Sequence, residues 1–100
     1  MIVQPELSLA AREEFDDAAI WYLAAGSELR DRFVHAVNAT IRAIAKQPLS
    51  YPVIFGTDVR RSLVKDFPYS IIYRVEKDRV FVFSVFHQSR NPIIWRGRID

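Results

Sequence analysis

The side chains able to act on an anion are concentrated late in the chain. Arg60-Arg61 and Lys65 lie close together, and His87 is followed three positions later by Arg90. An imidazole titrates near neutrality and can serve as acid or base. Guanidinium and ammonium groups stabilise negative charge on a phosphate or carboxylate. His87, Arg61, Lys65 and Arg90 are therefore candidates for metal-independent acid–base chemistry at a phosphate, which needs a base, an acid and cations on the developing charge. A second proton-transfer group is not evident. Asp78 belongs to a hairpin turn, and the strand between it and His87 spans about 30 Å at roughly 3.3 Å per residue. Asp66, beside Lys65, reads as a turn residue. Binding without catalysis, through His87 and Arg90, asks less of the same residues. His35 lies among polar residues and is assigned no role.

The composition narrows the setting. The chain has 100 residues, half of them hydrophobic, with 3 glycines and no cysteine. That suits one domain, residues 1–100, with its own core, and excludes a disordered or collagenous chain. Two histidines and no cysteine offer no ligand set for an all-protein zinc site, so no metal and no cofactor are expected. No apolar run approaches the roughly 20 residues that cross a bilayer, and the first residues lack a signal-peptide pattern. The expected location is the cytoplasm, with no membrane partner. Residues 1–57 carry five basic and seven acidic side chains; residues 58–100 carry nine and five. A basic second half suggests an anionic partner.

The positioning elements follow from periodicity. Residues 2–7 read as a short first strand that Pro5 confines to an edge. Ser8 is a good N-cap for a helix over Leu9–Ala25, whose apolar stripe is Ala11, Phe15, Ala18, Tyr22 and Ala25. Gly26 stops it and Ser27 is the expected cap of a second helix over 28–46, ended by Pro48. Two amphipathic helices so joined form an antiparallel hairpin. The period then changes to that of strands over 60–65, 69–75 and 80–87. A turn at Lys77-Asp78 pairs Glu76 with Arg79 and, in continuous register, Ile72 with Phe83 and Pro68 with His87. The expected class is α+β, a helix hairpin on a small antiparallel sheet.

That register sorts the sheet into two faces. Ile71, Tyr73, Val75, Val80, Val82 and Phe86 should meet the helices. Ser70, Ile72, Arg74, Phe81, Phe83, Val85 and His87, joined by Arg61, should form an apolar strip fringed by charge. Two outcomes are open: another polypeptide covers the strip, or the tail around Trp95 folds over it. The first is the expectation taken here, with Arg61, Ile72, Arg74, Phe83 and Val85 as its contacts. Trp21, Tyr22 and Trp95 read as packing residues.

The order of elements resembles the RelE/ParE superfamily of bacterial toxins. The marks are Ser8 leading an Ala/Glu-rich helix that ends near Trp21-Tyr22, and Ala-Ile-Ala-Lys-Gln-Pro at 43–48. Arg60-Arg61, Pro68-Tyr69-Ser70-Ile71-Ile72-Tyr73-Arg74-Val75 and Val85-Phe86-His87-Gln88-Ser89-Arg90-Asn91 complete them. The last string is most similar to the ParE, or plasmid stabilization, branch. The resemblance implies a toxin of a type II toxin–antitoxin module that stops growth by binding a target such as DNA gyrase. It also implies a cognate antitoxin that joins it in a hetero-oligomer and holds it silent. On this view the strip above is the antitoxin contact, and His87 and Arg90 touch the target. The RelE branch implies the alternative, a ribosome-dependent endoribonuclease that cuts messenger RNA. Against it, Ser70 stands where some cutting members place arginine, and no tyrosine follows His87.

Overall fold

A computed structural model describes residues 4–99. The element order is β1 (Gln4–Leu7), α1 (Leu9–Ala25), α2 (Ser27–Lys46), β2 (Val53–Phe55), β3 (Val59–Leu63), β4 (Tyr69–Glu76), β5 (Arg79–His87) and α3 (Ile93–Arg96). The strands form one sheet in the order β1-β5-β4-β3-β2. Its pairings are antiparallel except β1 with β5, which run parallel. The fold is α+β, with two long helices on one face of the sheet. Among the described residues no helix is long and apolar enough to cross a membrane.

Local chemistry explains the helical half. The Ala11 amide donates to Ser8 Oγ at 3.1 Å, satisfying one orphan donor of the first turn. Gly26, at φ 149°, closes α1 through its N–H to the Tyr22 and Leu23 carbonyls. The same residue opens α2, since the Arg30 amide donates to its carbonyl at 3.1 Å. Gly26 is thus the N-cap where Ser27 was expected. One residue turns the chain between two helices, and its backbone angle is one that a side chain disfavours. Ala11, Phe15, Ala18 and Tyr22 are buried as expected, while Ala25 is exposed. Phe15, Tyr22, Phe33, Phe67 and Tyr69 pack their rings edge-on or tilted at centroid separations of 4.7 to 6.4 Å.

The sheet departs from the expected register at one point. Glu76 pairs with Arg79 and Tyr73 with Val82, but Ile72 then pairs with Ser84 and Tyr69 with His87. Phe83 is the extra residue of a bulge. Because strand side chains alternate with a period of two, one inserted residue exchanges the faces of everything beyond it. Val85 consequently packs in the helix-side core with Ile71, and Phe86 joins Ile72 and Phe83 on the other side. Both assignments reverse the expectation, and His87 sits opposite Tyr69 rather than level with Pro68.

The sheet carries one strand beyond those expected, β2, and the expected first strand is present as β1. β2 is three residues long and carries no readable alternation; it pairs with β3 through Val53–Arg60 and Phe55–Val59. β1 takes the edge position that Pro5 requires, but the sheet is not wholly antiparallel. Ile2 and Val3 of the expected first strand lie outside the described residues.

Candidate functional site

The apolar strip is covered by the chain itself. Trp95, in α3, is 3% exposed and packs in one cluster with Val59, Ile72, Phe83 and Phe86. Ile72 and Phe83 are 1% and 4% exposed. Ile54, Ile94 and Ile99 fill in around them. The expectation of an open strip is therefore corrected, because the tail supplies the apolar partner that the strip requires. Val85 is not on this face at all.

Arg74 is engaged as well. Its guanidinium lies 5.2 Å over the Phe83 ring, with Nε 3.2 Å from Asp58 Oδ2 and Nη1 3.5 Å from Glu76 Oε2. The Nε contact is ionic, as Nε itself lacks hydrogen-bond geometry to any described partner. Of the five residues expected to meet an antitoxin, Arg61 alone is exposed. It borders a shallow groove of about 390 Å³ whose wall includes Leu63, Ser70, Phe86, Gln88 and Trp95.

The four cationic candidates separate into three places. Arg61 borders the groove beside α3. Lys65, in the β3–β4 turn, borders a cleft of about 830 Å³ against α2, near Glu28 and Asp31. His87 and Arg90 line a third cleft, about 410 Å³, between α1 and the ends of β4 and β5. A shared phosphate would require these groups to face one site, and they line three different clefts. Asp66 takes the left-handed conformation (φ 71°) in its turn, and the turn is closed by the Val64 amide donating to the Tyr69 carbonyl at 2.9 Å. Among the described residues no cluster of metal-ligating side chains occurs.

The third cleft is the most developed. His87 stacks edge-on to Tyr69 with ring centroids 5.0 Å apart. The Ser89 amide donates to His87 Nδ1 at 3.1 Å, and the Ser89 hydroxyl lies 2.8 Å from the same nitrogen. An Nδ1 that accepts an amide proton carries none, so the neutral ring holds its proton on Nε2. Burial pushes the Tyr69 phenol above its usual range, Tyr22 adds to the shift and the Arg90 guanidinium partly offsets it. Tyr69 is a protonated donor at neutral pH. Trp21 and Asp17 complete the rim. Sequence reasoning found His87 and Arg90 by residue type and assigned Trp21 to packing. Yet Trp21 is 68% exposed. Its position at the margin of the α1 stripe was the signal available.

Glu14 lies at the base of this cleft and ties the tail to the bulge. Its Oε1 accepts from the Ser84 hydroxyl at 2.8 Å, the Val85 amide at 3.1 Å and Arg98 Nη1 at 3.1 Å. Oε2 accepts from Arg98 Nη2 at 3.1 Å, and Arg98 Nη1 also donates to the Phe83 carbonyl at 2.9 Å.

The ParE toxin family of type II toxin-antitoxin systems, parDE, matches residues 6–92. The chain belongs to that family. Among solved structures, a chain described as the chromosomal ParDE TA system from P. aeruginosa superposes with a TM-score of 0.75 at 13% identity. The match covers 86% of this chain and 96% of that one. No curated protein matches the sequence. As a ParE-type toxin of a type II system, the chain implies a cognate antitoxin. Its family match ends at Pro92, so most of the tail that covers the sheet lies beyond the matched region.

Proposed function

We propose that this chain inhibits growth by binding a target protein such as DNA gyrase and is neutralised by its cognate antitoxin in the cytoplasm. The separation of Arg61, Lys65 and the His87–Arg90 pair into three clefts carries the choice of binding over RNA cleavage. A nuclease concentrates its proton-transfer and charge-stabilising groups around one phosphate. A binding inhibitor needs only a complementary surface. The target contact is the His87–Arg90 cleft. The antitoxin contact is the face bearing Arg61, with an acidic residue of the antitoxin set against that guanidinium and apolar side chains toward Leu63 and the Trp95 groove. Pairing with an antitoxin is carried over from the family and from the ParDE system whose fold this chain shares.

Purified chain added to gyrase in a supercoiling assay is expected to block the reaction, and antitoxin is expected to restore it. A translation-coupled RNA cleavage assay run beside it is expected to show intact message. Message cleavage that His87→Ala abolishes would replace this reading with the endoribonuclease one.

A further inference from the structure

Four residues that carry hydrogen-bond donors line the cleft between α1 and the ends of β4 and β5. They are Trp21 with its indole N–H, Tyr69 with its hydroxyl, His87 with its Nε2–H and Arg90 with its guanidinium. Among the described residues none of the four has a hydrogen-bond or ion-pair partner; the Tyr69 backbone and His87 Nδ1 are engaged, but not these groups. Of the two carboxylates lining the cleft, Glu14 has both oxygens committed to Arg98, Ser84 and Val85, while the exposed Asp17 makes no hydrogen bond or ion pair with any of the four among the described residues. Donors without acceptors in a partly enclosed site are the complement of an anionic, acceptor-rich ligand. The Trp21 ring, 68% exposed, adds an apolar wall.

We propose that this cleft reads a carboxylate on a partner polypeptide, seated against Arg90, His87 and Tyr69, with an adjoining apolar side chain on Trp21. The proposal rests on the target-binding reading of His87 and Arg90 and specifies the chemistry they recognise. It assigns Trp21 and Tyr69 as specificity-determining residues. The charge around the site selects polypeptide over nucleic acid. Only Arg90 is an uncommitted cation there, and Asp17 at the rim and Glu13 and Asp16 on the outer face of α1 are exposed acids. A phosphate backbone presents a row of charges whose binding depends on several cations together, and the cleft offers one guanidinium. A single carboxylate fits the Arg90 guanidinium together with the Tyr69 and His87 donors. The cleft volume, about 410 Å³, accommodates one or two side chains.

The test is a titration of the purified chain, followed by proton–nitrogen NMR of the Trp21 indole and the Arg90 Nε. The probes are N-acetyl-Leu-Asp-amide, N-acetyl-Leu-Asn-amide and inorganic phosphate. The Asp probe is expected to shift both signals saturably, with the Asn probe about ten-fold weaker for want of the charge-assisted bond. Trp21→Ala, Tyr69→Phe and Arg90→Gln should each weaken the Asp probe several-fold while the remaining spectrum keeps its dispersion. Equal binding of both dipeptides, phosphate binding as tight as the Asp probe, or no saturable shift would overturn the proposal. Supercoiling assays on the same variants keep the two readings apart. Gyrase untouched by the wild-type chain, with the Asp probe still bound, refutes the target and retains the carboxylate site. Gyrase inhibited equally by wild type, Trp21→Ala and Arg90→Gln refutes the site's part in target contact.

Discussion

Glu14 and Arg98, 84 positions apart, form a two-pronged ion pair at 3.1 Å over the bulge in β5. The pair does three jobs at once. It caps the Val85 amide that β1 leaves unpaired, holds the bulge through Ser84 and the Phe83 carbonyl, and anchors the tail that covers the sheet. Both side chains are largely buried, with 14% and 26% of their surface exposed. Removing one member leaves a charged group short of partners, which costs more than the pair contributes. Arg98→Met is expected to destabilise the fold by about 1–3 kcal/mol in urea unfolding. Wild-type stability in that variant would show that the tail is held by Trp95 alone.

The covered strip changes what substitutions there should do. Phe83 is 4% exposed against Trp95, so Phe83→Asp places a charge in the core and should prevent folding rather than selectively block a partner. Trp95→Ala should cost about 3–5 kcal/mol by opening a cavity beneath α3. Circular dichroism melts of the two proteins decide this. A Phe83→Asp chain that melts like wild type would mean that the strip is open in solution.

Exposed arginines on different faces allow the two contacts to be separated. Arg90→Glu is expected to lower growth inhibition and leave antitoxin affinity unchanged. Arg61→Glu should do the opposite, weakening antitoxin binding by about ten-fold while toxicity persists. Neither change touches the core, so both proteins should unfold within about 0.5 kcal/mol of wild type. Growth curves and calorimetric titration with the antitoxin are the measurements. Loss of both functions in either variant would merge the surfaces.

Tyr73 sets an alkaline limit. Its side chain is fully buried and its hydroxyl donates to the Pro48 carbonyl at 2.6 Å. Burial pushes the phenol up to about 12 from 10.0; Arg60 partly offsets the rise and Tyr51 adds to it. A folded-state value above the unfolded one means that the neutral form is favoured in the fold. The contribution is complete below pH 10 and is lost as pH rises through 10 to 12, an effect of roughly 3 kcal/mol. Tyr73→Phe should lose about 1 kcal/mol at neutral pH and show a shallower decline above pH 10. Tyr22 and Tyr69 are also raised, so some slope should remain. Parallel alkaline profiles for the two proteins would remove Tyr73 as its source.

The helices were legible because each carries its own boundary chemistry: Ser8 accepts an amide, Gly26 adopts an angle closed to other residues, and Pro48 follows the last turn. The Glu76–Arg79 turn was legible for a similar reason, since the charged pair and the two residues between them are adjacent in the chain. β2 was not, because three residues offer no period to count. The candidate site divides in the same way. His87 and Arg90 declare themselves by residue type, whereas Trp21 and Tyr69 become part of one cleft only when α1 lies beside the ends of β4 and β5.

What the amino-acid order determined by itself was therefore local: two capped amphipathic helices, the strand-rich second half, the basic surplus and the reach of its resemblance to ParE toxins. Tertiary structure alone decided which side of the sheet each late residue occupies. Strand side chains alternate strictly, so the single extra residue at Phe83 sends Val85 to the helices and Phe86 to the tail. That bulge is held by Glu14 and Arg98, and a contact between groups 84 positions apart leaves no mark in any short window of sequence.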